Sequence, residues 1–292
     1  MTDSFFKYLQ YEKRLSKHTL VAYQSDIEQF QDFVKSVYET QGLSDATYSM
    51  VRSWIIDLTE KKVQAVSINR KIASLKAFYK FLLSQGTITT NPCDRIATLK
   101  TSKRLPSFVR ESEMEKVLPE PTSGDFESIR DHLVLELFYS TGIRLSELIG
   151  LKDQAFNFAD RTVKVLGKRN KERVVPYNKS LVDSLRNYVA LRNREIGEHP
   201  EGYFFVTNEG KKSYPMLIYR IVKSRLLHST TAERKSPHIL RHTYATHLLD
   251  RGAELNAVKD LLGHSSLAAT QVYTHNSIEK IKRVFELAHP KA

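Results

Sequence analysis

Apolar side chains recur every three or four residues through the first hundred positions, which is the spacing of amphipathic helices. One such stripe predicts a long helix over residues 16–38, and its members are Leu20, Tyr23, Ile27, Phe30, Val34 and Val37. Residues 44–62 and 67–86 repeat the pattern, and Gly86 predicts the end of the second stretch because glycine favours the left-handed cap of a helix. The pattern predicts a bundle of about four helices over residues 1–100.

The last helix of this bundle carries a row of basic residues, which are Arg70, Lys71, Lys76 and Lys80. Such a row is either an ordinary solvated face or a stripe that faces phosphates. The sequence leaves both interpretations open.

A break in the pattern follows the bundle. Pro92, Pro106 and the charged stretch between them interrupt the helical spacing. We therefore predict a linker at residues 101–106, between a first domain at 1–100 and a second at 107–292. In the second domain, Ser112 and Glu115 have the spacing of a capping box that begins a helix.

The hydrophobic period changes from helical to alternating only once along the chain. Residues 161–167 and 172–177 are rich in β-branched side chains and flank a short polar turn, which predicts a β-hairpin. Helical spacing returns at residues 180–197. The predicted fold class is mainly α with a small β-sheet or hairpin.

A helix at residues 236–252 carries the first candidate site. Ser236 stands at its N-cap position, Pro237 at its first position, and Gly252 marks its end. His238 and Arg241 share a face near the helix N-terminus, where backbone amides also favour anions. These groups predict an anion site that suits a phosphate diester.

The same helix has two histidines at the spacing of metal ligands, His238 and His242. No acidic residue stands between them, and no cysteine or clear third ligand follows, so we expect no metal site. We expect His247 to be a surface or core histidine.

A second candidate site lies in residues 262–275, with the sequence LGHSSLAATQVYTH. Gly263 ends a short helix, so a turn at this glycine and the following serines allows His264 and Tyr273 to approach one phosphate. Tyrosine is usually a packing residue with a hydrated hydroxyl. As a nucleophile, with an ordinary pKa of about 10, it needs a base and positive charge nearby.

Four residues could provide that environment: Arg144, His238, Arg241 and His264. Lys168, in the turn of the predicted hairpin, could act as a proton donor. A lysine in a turn is more often simply solvated.

The net charge of +12 and the isoelectric point near 9.5 favour a polyanionic partner, since a basic surface attracts nucleic acid. The single cysteine, Cys93, excludes an internal disulfide and a cysteine-built zinc site. Residues 1–16 lack the features of a signal peptide and no run is apolar enough for a membrane, so we expect a cytoplasmic protein.

Six motif residues, in this order and approximate spacing, make the whole chain resemble the tyrosine recombinase family, in particular its Xer-type site-specific recombinases; they are Arg144, Lys168, His238, Arg241, His264 and Tyr273. The resemblance implies a helical core-binding domain followed by a catalytic domain. Arg169 stands where the family often has a glycine after the turn lysine, which could alter that turn.

The resemblance also implies a role for each motif residue. Tyr273 attacks the scissile phosphate and forms a 3′-phosphotyrosyl link, and Lys168 protonates the leaving 5′-hydroxyl. Arg144 and Arg241 hold the non-bridging oxygens. His264 donates a further hydrogen bond, and His238 assists removal of the tyrosine proton. Glu147 orients Arg144, and no ATP, metal or other cofactor is needed.

The implied partners are double-stranded DNA with a palindromic core site and a homo- or heterotetramer on two duplexes. A second recombinase and a septal DNA translocase are further candidate partners. The tail has apolar residues at helical spacing, at Ile278, Ile281, Val284, Phe285 and Ala288. It packs on its own domain or, as the resemblance implies, docks on a neighbouring subunit.

Resolution of chromosome dimers, with a part in chromosome partition and cell division, is the expected role. Integration or transposition of a mobile element is the alternative within this chemistry. A nicking enzyme of topoisomerase type and a non-catalytic DNA-binding regulator are two further alternatives, since residues 237–262 also resemble a helix-turn-helix.

Overall fold

The computed structural model describes residues 1–39, 42–101, 107–119, 121, 123–167, 171–197, 201–233, 235–263 and 275–290, with the backbone alone for 275–281. The chain divides into two compact units, Met1–Arg104 and Leu105–Ala292. Of the predicted linker, only residue 101 lies among the described residues.

All regular elements in the described part of unit 1 are helical. Its helices are α1 (Thr2–Lys7), continued by a π-helical turn at Tyr8–Glu12, then α2 (Lys17–Tyr38), α3 (Tyr48–Glu60) and α4 (Ala65–Ser84). Ser16 begins α2 by accepting a hydrogen bond from the Thr19 amide, as an N-cap residue does. Aromatic side chains fill the core, with Phe30 against Trp54 and Phe5 against Phe78.

A buried carboxylate joins α2 to α4 in unit 1. Asp26 is fully buried and pairs with Arg70 and Lys71, and Ser74 donates a third hydrogen bond to it at 2.8 Å. Lys71 is therefore part of the interior, which neither interpretation of the basic row anticipated. Lys76 also bonds within the unit, to the Ile96 carbonyl.

Unit 2 surrounds one small sheet with helices. Its helices are α5 (Glu111–Val117), α6 (Phe126–Thr141), α7 (Leu145–Gly150), α8 (Lys179–Glu195), α9 (Pro215–Ser229), α10 (Pro237–Asp250), α11 (Leu255–Leu262) and α12 (His275–Ala288). The strands are β1 (Phe156–Asn157), β2 (Thr162–Leu166) and β3 (Glu172–Pro176), antiparallel in that order. The predicted fold class, mainly α with a small sheet, is confirmed.

Helix α6 is the central element of unit 2, because most of its residues are buried and it packs against α8, α9 and α10. Asp125 caps its start, and Gly142 ends it in the left-handed conformation. A Cβ atom at Gly142 would lie 2.5 Å from the Tyr244 ring, so only glycine fits between α6 and α10.

Two local details differ from the sequence prediction. The sheet gains β1, which at two residues is too short to give a periodic signal. Helix α5 begins after Arg110, and Glu113 accepts the Arg110 amide, so Ser112 and Glu115 do not form the predicted capping box. By contrast, Pro237, Gly252 and Gly263 stand at the helix ends where they were predicted.

The end of α12 packs on unit 2 itself. Phe285 and Ala288 join a core cluster with Tyr244, and the buried His289 donates to the Tyr139 carbonyl. Docking of α12 on a neighbouring subunit therefore remains a proposal. None of the helices in the described part of the chain combines the length and apolar character that a membrane crossing needs.

Candidate active site

Arg144 is held at the start of α7 by its own helix. It follows Gly142 by two residues and occupies the N-cap position of α7. Its backbone amide donates to Glu147 Oε2 at 2.7 Å, and Nη1 donates to Glu147 Oε1 at 2.8 Å. The side chain remains one-third exposed, so its guanidinium can still reach a ligand.

Arg241 lies beside Arg144 but is buried. Its guanidinium donates to the carbonyls of Gly142 and Leu262. Burial lowers the pKa of Arg241 to about 10, with further contributions from the charges of Arg144 and Arg173. Arg241 is still ionised at neutral pH. Together with Arg144 and Arg173 it forms a cluster of three cationic side chains, where a bound anion would be stabilised.

His238 stands at the solvent-exposed start of the same helix. Partial burial lowers its pKa, as do the nearby charges of His242, Arg241 and Arg144. A neutral imidazole at physiological pH can accept a proton, which is the role that the family resemblance implies for this residue.

Sequence reasoning missed Arg173, which completes the cluster from β3. Arg173 donates two hydrogen bonds to Glu147, at 2.7 and 2.9 Å, and Nε donates to the Leu261 carbonyl. Burial alone would raise the pKa of Glu147, but the hydrogen bonds and charge of Arg173 and the hydrogen bonds of Arg144 lower it to about 2. The available signal was an arginine on the inward face of the strand that also buries Val175.

Lys168, His264 and Tyr273 lie outside the described residues. The residues that precede two of them border the arginine cluster. Gly167 lies close to Glu147, because a Cβ atom built on this glycine would be 3.5 Å from Glu147 Oε1. The Gly263 carbonyl accepts a hydrogen bond from Arg144. The chain therefore approaches Lys168 and His264 from positions beside Glu147 and Arg144.

His247, further along α10, takes no part in the cluster. His247 is buried, donates from Nε2 to the Val109 carbonyl and accepts from the Tyr139 hydroxyl, both at 3.0 Å, as expected for a core histidine. Among the described residues, no three histidine, cysteine or carboxylate side chains are grouped as metal ligands would be.

Comparison with known proteins identifies the family. Residues 107–280 match the phage integrase family, and residues 2–86 match the phage integrase N-terminal SAM-like domain. The tyrosine recombinase XerC of Chlorobaculum parvum is 36% identical to this chain, over an alignment that covers 99% of this chain and 94% of that protein. XerC of Bacillus licheniformis is also 36% identical, over 99% of this chain and 95% of that protein.

Solved structures agree on the fold. The post-cleavage complex of XerH recombinase with palindromic difH DNA superposes with a TM-score of 0.74 at 19% identity, over 97% of this chain and 83% of that one. The Tn1549 transposon integrase bound to transposon right-end DNA gives 0.70 at 20% identity, over 96% and 98%.

The chain belongs to the phage integrase family. Its activity is that of a tyrosine-type site-specific DNA recombinase, as the sequence predicted.

Proposed function

We propose that the recombinase cuts DNA by attack of the Tyr273 hydroxyl on the scissile phosphorus. A bond forms between the phenolic oxygen and phosphorus while the bond from phosphorus to the 5′-oxygen breaks. The phenolic proton passes to His238, and the leaving oxygen receives a proton from Lys168. Attack by a 5′-hydroxyl of a partner duplex on the 3′-phosphotyrosine then joins the recombined strand and frees the tyrosine.

One observation carries the proposal: the guanidinium groups of Arg144 and Arg241 converge at the end of α11. Charge accumulates on the non-bridging phosphate oxygens during attack, and fixed cationic donors stabilise it. Arg241 is already oriented by two carbonyls, and Arg144 by Glu147, so little reorganisation is needed. His264, which follows Gly263 in the chain, donates a further hydrogen bond to the same phosphate.

The lowered pKa of His238 supports its part in the proton transfer. A histidine that is neutral at physiological pH can take the phenolic proton, whereas a charged one could not. The protonated imidazole would then stand beside a phosphotyrosine, whose negative charge stabilises it.

We propose that the protein acts as a tetramer on two duplexes with a palindromic core site, in the cytoplasm, and resolves chromosome dimers. The similarity to proteins named XerC, at 36% identity over nearly the whole chain, supports this role over integration of a mobile element. Within the tetramer, α12 exchanges its packing on its own unit, through Phe285 and Ala288, for docking on a neighbouring subunit. A second recombinase and a DNA translocase are the further partners.

Covalent trapping tests the chemistry. The protein is incubated with a labelled duplex that carries a palindromic site from the host chromosome and a nick beside the cleavage position, so that the cut end is lost and the adduct accumulates. We expect a covalent adduct on a denaturing gel with the native protein and none with Tyr273→Phe.

The matched control is Tyr219→Phe, which removes the hydroxyl of a partly exposed tyrosine on α9 and should form the adduct normally. An adduct that persists in Tyr273→Phe would refute the assignment of the nucleophile. Specific binding without an adduct from the native protein would favour a regulator.

A further inference from the structure

Arg173 is an arginine on the inward face of a strand, where a charged side chain has a high desolvation cost. Its side chain is only 6% exposed. Such a group is stable only when its donors are satisfied, and three hydrogen bonds do so: two to the Glu147 carboxylate and one to the Leu261 carbonyl. Both partners belong to the immediate support of the candidate active site.

The first partner links Arg173 to Arg144. The carboxylate of Glu147 is 1% exposed and accepts hydrogen bonds from both arginines. Its Oε1 atom receives Arg144 at 2.8 Å and Arg173 at 2.7 Å, so a movement of either guanidinium changes the position that suits the other.

The second partner links Arg173 to the end of α11. Three successive carbonyls at this end each accept a hydrogen bond from a different arginine: Leu261 from Arg173, Leu262 from Arg241, and Gly263 from Arg144. Cationic donors at a helix C-terminus also complement its partial negative charge. The same helix end thereby fixes both arginines proposed to hold the phosphate.

Gly263 gives independent evidence of this close packing. Its φ angle is +63°, and a Cβ atom there would lie 2.9 Å from Arg173 Cδ. The backbone that leads to His264 thus rests directly on the Arg173 side chain.

We infer that Arg173 is a positioning residue for strand cleavage, which acts through Glu147 on Arg144 and through the end of α11 on Arg144 and Arg241, whose guanidinium groups bind the next two carbonyls. This inference rests on the proposed function of Arg144 and Arg241. Lysine cannot replace the fork of Arg173, since an ammonium group cannot make the paired contacts with Glu147 and the third contact with Leu261 in one geometry.

The test measures the rate of adduct formation on the nicked duplex at saturating DNA, together with DNA affinity. We expect Arg173→Met to slow the adduct by about 100-fold with little change in affinity, because displaced catalytic groups lose rate rather than binding. Arg173→Lys should recover part of the rate.

Arg192 provides the matched control. It is also a buried arginine that pairs with a carboxylate, Asp153, and donates to a carbonyl, that of Phe204. Arg192→Met should destabilise the fold similarly but leave the adduct rate of the folded protein near that of the native enzyme.

A double-mutant cycle distinguishes positioning from a general structural role. If Arg173 acts through Glu147, the double variant Arg173→Met with Glu147→Gln should slow adduct formation by far less than the product of the two single slowdowns. For Arg192→Met with Glu147→Gln, the slowdown of adduct formation should equal the product of the two single slowdowns.

The pH dependence adds a second readout. Loss of Arg173 removes a main group that keeps the Glu147 carboxylate ionised. Arg173→Met should therefore lose further activity between about pH 7 and about pH 5, relative to the native enzyme over the same range.

The results separate this inference from the proposed function. A native adduct with an unchanged rate in Arg173→Met overturns this inference alone, as does a fully multiplicative cycle with Glu147→Gln. Failure of the native protein to form an adduct overturns the proposed function, and this inference with it.

Discussion

Among the described residues, each unit of the recombinase has a buried carboxylate between two cationic side chains, and the two clusters differ in what surrounds them. In unit 1, Asp26 pairs with Arg70 and Lys71. In unit 2, Glu147 pairs with Arg144 and Arg173. The carboxylates are equally inaccessible, at 0% and 1% exposure, and in both clusters one cation is buried while the other is partly exposed.

The difference lies in the remaining contacts. The Asp26 cluster joins α2 to α4 and is completed by Ser74 and Gln29, side chains of those same two helices. The Glu147 cluster extends through its arginines to the carbonyls that precede His264. A buried ion pair alone therefore indicates little about function, whereas one that orients an exposed cation beside a helix end indicates a site.

The partly exposed arginines provide the largest expected contrast. Arg144→Lys should slow adduct formation by about 100- to 1000-fold at saturating DNA, since a lysine loses the fork that faces both Glu147 and the phosphate. Arg70→Lys, the equivalent change in the Asp26 cluster, should leave that rate nearly unchanged. Equal losses in the two variants would remove the distinction between the clusters.

The stability of unit 1 should depend on the Asp26 cluster, even though the cleavage rate does not. Asp26→Asn leaves Lys71 buried without its charge partner, and we expect unit 1 to lose about 3–5 kcal/mol of unfolding free energy in urea. Asp32→Asn, at an exposed position of the same helix, should change it by less than about 0.5 kcal/mol. A negligible effect of Asp26→Asn would show that the buried pair is dispensable for folding.

The same clusters mark where sequence reasoning succeeded and where it stopped. Arg144 and Arg241, which the structure brings together, were singled out because they occupy recognisable motifs, and their catalytic roles stay predictions. The ends of α10 and α11 were predicted because Pro237 and Gly263 have strong local preferences. Such signals are local, and so are the hydrophobic periods that gave the fold class.

The pairings of Lys71 and Arg173 were not found, for a physical reason. Asp26 and Lys71 are 45 positions apart, and Glu147 and Arg173 are 26 apart. Periodicity can place a charged residue on an inward face, but the partner depends on how two elements rotate against each other. The positions of Lys168, His264 and Tyr273 relative to the arginines remain predictions.

Acid should weaken unit 2 through Glu147. Its pKa of about 2 in the folded protein lies below the ordinary value of 4.5. The ionised carboxylate therefore stabilises the fold fully above about pH 4.5, and this stabilisation is lost as the pH falls towards 2. The linked free energy is roughly 3 kcal/mol.

Urea unfolding at a series of pH values measures this effect. Glu147→Gln should show a shallower loss of stability below about pH 4.5 than the native protein, because glutamine does not titrate. Identical slopes in the two proteins would mean that Glu147 is not held ionised by its arginines.

Two glycines that end helices of unit 2 provide the finest comparison. Gly263 and Gly252 both have positive φ angles, of +63° and +87°. Among the described residues, an added Cβ at Gly252 meets nothing within 4 Å, whereas at Gly263 it would lie 2.9 Å from Arg173 Cδ. Alanine at either position should cost about 1–2 kcal/mol for the left-handed backbone.

Only Gly263→Ala should also displace Arg173, so it alone should slow adduct formation, by about 10-fold, in protein that is still folded. The rate is measured on the nicked duplex below the unfolding temperature of both variants. If Gly252→Ala slows the adduct equally, the loss comes from backbone strain in the unit. If neither does, the contact between Gly263 and Arg173 does not govern the position of the residues that cut DNA.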